Sequence, residues 1–148
     1  MPPDSLAGFS AMLKRALSPL LDPEANDFAA MMAEDGVMEF PFAPPDSVQR
    51  LVGRAAVATH VARLSEVLAL DRVGEPVIHR TQDAGLVILE FEASGRVLGS
   101  GRPYQQRYIS VITLRDGRIQ RYLDYWNPLI VLDALGGSAI RTISQGAA

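Results

Sequence analysis

The stretch from residue 104 to residue 126 constrains the fold more than any other part of the chain. YQQRYISVITLR (104–115) sets apolar positions among polar ones, Asp116-Gly117 follows, and RIQRYLDYW (118–126) repeats the pattern. Such runs on either side of Asp-Gly specify two antiparallel strands joined by a tight turn. Alternate residues of a strand share a face. Tyr104, Tyr108 and Ser110 therefore fall together on one strand, and Tyr122, Asp124 and Trp126 fall together on the next. A hairpin does not stand alone in water; it needs further strands and a cover. Residues 73–80 and 86–93 read as the further strands. In the second, Leu89 and Phe91 face inward while Glu90 and Glu92 face out.

The first half supplies the cover. Residues 5–21 place Leu6, Phe9, Leu13, Leu17 and Leu20 at helical spacing, with Ser5 as the N-cap and Pro19 weakening the last turn. Asp22-Pro23-Glu24 opens a second helix that runs to Glu34, buries Phe28, Met31 and Met32, and ends at Gly36. A short strand over 37–42 leads into a proline-rich loop that lasts to Gln49. A third helix over 53–70 carries the stripe Val57, Val61, Leu64 and Leu68. Pro128 opens a last helix over 129–135, stopped by Gly136-Gly137, and 138–148 is expected to be a flexible tail. The expectation is one α+β domain over 1–148, with its core at 8–137: a cone-shaped, curved antiparallel sheet wrapped over three N-terminal helices. A cone of that kind encloses a cavity.

Composition narrows the chemistry. The chain has no cysteine, a single lysine (Lys14) and two histidines, His60 and His79. Thiol nucleophiles and three-His metal sites are excluded, and Schiff-base chemistry is disfavoured. No HxH or HExxH spacing occurs, and the glycines at 95, 99 and 101 precede no helix, so neither a metal nor a cofactor is expected. A net charge of −3 and a pI near 5.3 argue against nucleic acid or an anionic membrane as partners. No apolar run is long enough to span a bilayer, and residues 1–5 lack the basic start of a signal peptide, so a cytoplasmic protein is expected.

Two residues stand out for acid–base work. His60 lies beside the third helix's apolar stripe, and that face should look into the cone. Asp124 lies between two aromatics on its strand, where desolvation raises a carboxyl pKa. His60 is its natural partner; the alternatives are a histidine merely bonded to the sheet, and an aspartate paired with Arg102 or Arg107 at the cone mouth. Tyr104, Tyr108 and Ser110 offer hydroxyls to a carbonyl or enolate, or else pack against neighbours. Phe40, Phe42, Tyr122 and Trp126 are candidate walls of the binding cavity, and His79 reads as surface.

Four motifs occur in order: Glu34-Asp35-Gly36 before Met38-Glu39-Phe40-Pro41-Phe42, Val52-Gly53-Arg54, Asp116-Gly117-Arg118-Ile119 and Asp124-Tyr125-Trp126-Asn127-Pro128. In this order and spacing they resemble the nuclear-transport-factor-like superfamily, which includes SnoaL-like polyketide cyclases, ketosteroid isomerases, limonene epoxide hydrolases and small phenazine-biosynthesis proteins. The resemblance covers roughly 8–137 and implies a cystatin-like α+β barrel fold and a homodimer. The ketosteroid isomerase base would fall at Phe40, its oxyanion-hole tyrosine near Ala16 and its protonated aspartate near Ser110, so that mechanism is disfavoured. Tyr122-Leu123-Asp124-Tyr125-Trp126 resembles the epoxide hydrolases' aspartate motif, but Leu89-Glu90-Phe91-Glu92 lacks their arginine. The phenazine proteins are similar at His60, at Tyr104, at the turn Gly99-Ser100-Gly101-Arg102-Pro103, and at Asp124, where they carry glutamate; Leu64 stands where they carry serine. The resemblance therefore implies a cofactor-independent isomerase, cyclase or condensation enzyme acting on a small hydrophobic carbonyl compound. A non-catalytic binding module or a dimeric structural domain is the alternative.

Overall fold

A computed structural model describes residues 6–145. Helix α1 (Ala7–Leu17) buries Met12, Leu13, Ala16 and Leu17 and ends at Ser18, ahead of Pro19, which cannot continue a helix. The Ser5 cap lies outside the described residues. The second helix is far shorter than the sequence suggests. Asp22 forms a local turn by accepting the Glu24 N–H (2.9 Å). Asp27 is the N-cap instead, accepting the Ala30 N–H at 2.9 Å, and α2 covers only Phe28–Met31.

The expected tail of α2 is strand. β1 (Met32–Glu39) passes straight through Gly36, which is a strand residue and no helix stop. A Cβ on Gly36 would stand 2.7 Å from the Ile119 carbonyl oxygen, so the position admits no side chain without displacing backbone. β2 (Arg50–Val52), just past the proline-rich loop, pairs antiparallel with β1. Helix α3 (Arg54–Val67) stops short of residue 70, because Leu68–Val73 joins the sheet as β3, pairing with residues 93–97. β4 (Val77–Arg80), β5 (Leu86–Val97), β6 (Pro103–Arg115) and β7 (Arg118–Trp126) complete the sheet. The β6–β7 turn has φ of 53° at Asp116 and 80° at Gly117, the left-handed pair that a two-residue hairpin requires.

The sheet order is β2-β1-β7-β6-β5-β3, with β4 also on β5. It is not wholly antiparallel. β1 and β7 run parallel, as strands joined through most of the chain can, whereas hairpin-linked neighbours cannot. Register shifts in β3–β5 and β6–β7 bend the sheet, and its two edges stay apart, so the barrel is unclosed. α1 and α2 press Leu13, Leu17, Phe28 and Met31 against Leu89, Ile112, Ile119 and Tyr122 of the inner face.

The C-terminal element also departs from expectation. α4 (Pro128–Gln145) is two helical segments joined across Gly136, so the first segment stops there as expected and only the helical tail is new. Gly136 adopts φ 74°, ψ 161°, which kinks the helix, and the helical backbone resumes through most of the expected tail. Residues 146–148 lie outside the described residues. No described helix is long and apolar enough to cross a membrane.

Candidate functional site

Beyond the packed end of the sheet the helices diverge from it and leave a cavity of about 140 Å³. α1, α2 and α3 line one side and β1, β3, β5, β6 and β7 the other. Ser47 and Val48 of the β1–β2 loop and Val131 and Leu135 of α4 complete the lining. His60 and Asp124 both face this space, as do Phe40, Tyr104, Tyr108 and Trp126.

His60 is 8% exposed, and its Nδ1 is buried without a hydrogen-bond partner. Burial pushes its pKa down to about 4, so the ring is neutral at physiological pH. The Phe40 ring lies 5.2 Å from the imidazole and 6.3 Å from the Trp126 ring.

Asp124 is half-buried. The protein packed around its carboxyl pushes the pKa up to about 7, against the opposing effect of a hydrogen bond from the Trp126 indole N–H. The expected His60–Asp124 pair is therefore replaced by two separate groups on one cavity. Asp124 uses the tryptophan two residues along its own strand face, and His60 keeps a free nitrogen. Nor do the arginines reach Asp124. Arg102 donates to the Asp133 carbonyl at 2.9 Å, tying the β5–β6 turn to α4, and Arg107 faces Glu92 across the outer surface.

The Tyr104 and Tyr108 hydroxyls lie 2.8 Å apart, and the Tyr108 ring stacks on Phe91. Burial raises the pKa of both phenols, and the Asp124 charge adds to the effect, so they stay protonated as hydrogen-bond donors.

Three expected wall residues are not on the cavity. Tyr122 is fully buried under α2, edge-on to Phe28, and its hydroxyl meets Ser110 Oγ at 2.7 Å. Both residues point inward as alternation requires, but at the filled end of the cone. Phe42 is 59% exposed and packs on Tyr125, because β1 ends at Glu39 and its alternation does not extend past Phe40. His79 is at the surface, 2.6 Å from Glu90. Among the described residues no group of three His, Asp or Glu could hold a metal ion.

The SnoaL-like domain model matches residues 11–122. The chain belongs to the SnoaL-like family. Two relatives carry the match across almost the whole chain. Uncharacterized protein YesE of Bacillus subtilis is 40% identical over 134 residues, covering 90% of this chain and 91% of its own. An uncharacterized PhzA/B-like protein of Pseudomonas aeruginosa is 39% identical over 137 residues, covering 92% and 96%. A candidate isomerase from Bacillus subtilis, solved by crystallography, superposes with a TM-score of 0.75 at 37% identity, covering 94% of this chain and 99% of that one. The phenazine biosynthesis-related protein of Pseudomonas aeruginosa superposes at 0.66 with 17% identity, covering 89% and 82%, which shows the shared fold alone.

Within this SnoaL-like cone, sequence reading missed the part of the wall that lies far from the hairpin. Phe9 and Phe91 read as plain core, and Ser47, Val48, Val131 and Leu135 gave no site signal. The helical spacing of Val131 and Leu135 behind Pro128 is the one available clue to an apolar face there. The indole–carboxylate bond was foreshadowed by Asp124 and Trp126 sharing a strand face.

Proposed function

We propose that this SnoaL-like protein is a cofactor-independent acid–base enzyme of the isomerase, cyclase or condensation type, acting on a small hydrophobic carbonyl compound. One observation carries the reading: a carboxyl with a pKa near 7 and a neutral histidine with a free ring nitrogen share a mainly apolar cavity. A carboxylate of ordinary pKa is a weak base at neutral pH, and one tuned to about 7 is far better matched to removing a proton from carbon.

In this scheme ionised Asp124 takes a proton from the carbon beside the substrate carbonyl. The C–H bond breaks, a carboxyl O–H forms, and the electron pair moves onto the carbonyl oxygen as an enolate. His60, being neutral, serves that oxygen as a hydrogen-bond partner, and Tyr104 and Tyr108 are further donors at the same cavity. Protonated Asp124 then returns the proton to a different atom, or the enolate attacks a second carbon. The 37% identical candidate isomerase from Bacillus subtilis supports chemistry of this class.

Proton exchange tests this scheme with generic ketones in place of the natural substrate. Small ketones are incubated with the protein in D₂O, and loss of the α-proton signal is followed by NMR. The wild type should exchange with an apparent pKa near 7, and Asp124→Asn should lose about 10²–10⁴-fold in rate. Full activity in both Asp124→Asn and His60→Leu would sink the mechanism. Ligand binding without any exchange would leave a binding module.

We also propose a homodimer formed through the outer sheet face. Ile109 is 42% exposed there, and it is cross-strand from Tyr125, with Val111 cross-strand from Leu123 beside them. A compact monomer in sedimentation at micromolar concentration would contradict it.

A further inference from the structure

The cavity constrains its ligand in three independent ways. The first is size. An open volume of about 140 Å³ is close to that of the apolar cavity, about 150 Å³, that holds one benzene molecule in another protein. A fused polycyclic skeleton exceeds this volume and cannot be enclosed whole. The second is charge. Among the described residues no lysine or arginine lines the cavity, and the one acidic side chain there is Asp124. An anionic ligand would give up its water, meet no cation and face a carboxylate. The third is the unpaired nitrogen. His60 lines the cavity, and among the described residues its buried Nδ1 has no hydrogen-bond partner, a state that a native structure rarely leaves uncompensated. Neutral imidazole has one donor and one acceptor nitrogen, so a hydroxyl can satisfy either tautomer and a carbonyl one of them.

We propose that the cavity is a site for uncharged, single-ring molecules carrying one hydroxyl or carbonyl group, which pairs with the His60 imidazole, and that it rejects anions and fused polycyclic compounds. This takes further the substrate class of the acid–base reading and rests on the same cavity, but its test is binding alone.

The chain has one tryptophan, Trp126, and it lies on the cavity wall. Titrations can therefore be read from its indole N–H resonance. The probes are phenol (a stable planar mimic of an enol), toluene of the same shape without the hydroxyl, benzoate, and anthrone with three fused rings. At about pH 8, where Asp124 is largely ionised, phenol and toluene should shift the resonance, and benzoate and anthrone should not at equal concentration.

The phenol-to-toluene affinity ratio isolates the His60 contact from ring burial. It should fall about tenfold or more in His60→Leu and stay near the wild-type value in His60→Gln, which retains a polar atom. Unchanged spectra elsewhere would show that both variants fold. An unchanged ratio in His60→Leu, binding of benzoate or anthrone as tight as phenol, or no shift with phenol would each overturn the proposal. Phenol bound as expected with no ketone exchanged keeps this ligand class and removes the enzymatic reading. Exchange of polycyclic or anionic ketones does the reverse.

Discussion

Asp124 and His60 should pull the pH dependence of folding in opposite directions, and single substitutions should separate them. The Asp124 carboxyl titrates near 7 in the folded chain and at its ordinary 3.8 when exposed. As pH rises from 3.8 towards 7 the unfolded chain releases this proton and the folded chain holds it. The unfolded state then binds fewer protons, so stability falls across that window and levels off above it. At ~1.4 kcal/mol per pH unit the whole window costs about 4 kcal/mol. His60 titrates near 4 when folded and at 6.5 when exposed. Below 6.5 the unfolded chain gains a proton that the folded chain refuses, so stability is fully present above 6.5 and lost as pH falls to about 4. That window is worth about 3 kcal/mol.

The windows overlap, and between roughly pH 5 and 7.5 the two effects nearly cancel, with about 2–3 kcal/mol lost to Asp124 on going up and about 2 kcal/mol lost to His60 on going down. Asp124→Asn keeps the shape and an oxygen for the indole while removing the ionisation. Relative to wild type it should gain about 2–3 kcal/mol between roughly pH 5 and 7.5, and be the more stable protein at the upper end. His60→Leu should show the opposite trend, gaining about 2 kcal/mol relative to wild type as pH falls over the same span. Urea unfolding at several pH values, followed by circular dichroism, measures both. Comparing each variant with wild type removes the titration of the other acids. Parallel stability curves for wild type and Asp124→Asn would refute the claim that the fold holds this carboxyl out of its comfortable state.

Three further substitutions test the division between cavity and core. Tyr122→Phe should cost about 1–3 kcal/mol by stranding the buried Ser110 hydroxyl, with ketone exchange per folded molecule unchanged; a specific loss of exchange would put Tyr122 back in the site. Phe42→Ala should leave exchange and ligand affinity unaltered, as its ring packs outside on Tyr125; a clear loss of affinity would contradict that placement. Gly36→Ala should destabilise by about 2–3 kcal/mol in thermal or urea unfolding, because the methyl must displace the β7 backbone, and wild-type stability would show that the strands can separate there at little cost.

Much of the architecture is legible along the chain because strand and helix periods are local properties. Alternation groups Tyr104 with Tyr108 on one strand and Asp124 with Trp126 on the next, but it is the register shift between Thr113 and Leu114 that brings the two groups onto one face. The same alternation puts Leu89 and Phe91 inside and Glu90 and Glu92 outside, as the structure has them. What period two leaves open is depth. Tyr122 and Asp124 share a face, yet one is plugged by Phe28 and the other meets open space. Helix limits failed where non-local pairing outcompeted local preference. Residues 32–34 and 68–70 read as helix and are strand, because β7 and β5 offer them hydrogen-bonding partners far away in the chain.

By itself the sequence determined the α+β class, the hairpin that carries Asp124, and the small inventory from which any catalysis must draw: no thiol, one lysine and two histidines. Tertiary structure decided how that inventory is used. It left His60 with a free nitrogen instead of an aspartate partner, gave Asp124 an indole, and set α4 over the opening. The physical reason is that burial acts through everything packed around a group. The pKa of Asp124, the neutrality of His60 and the volume between them arise from elements brought together across the whole chain, and no local stretch encodes them.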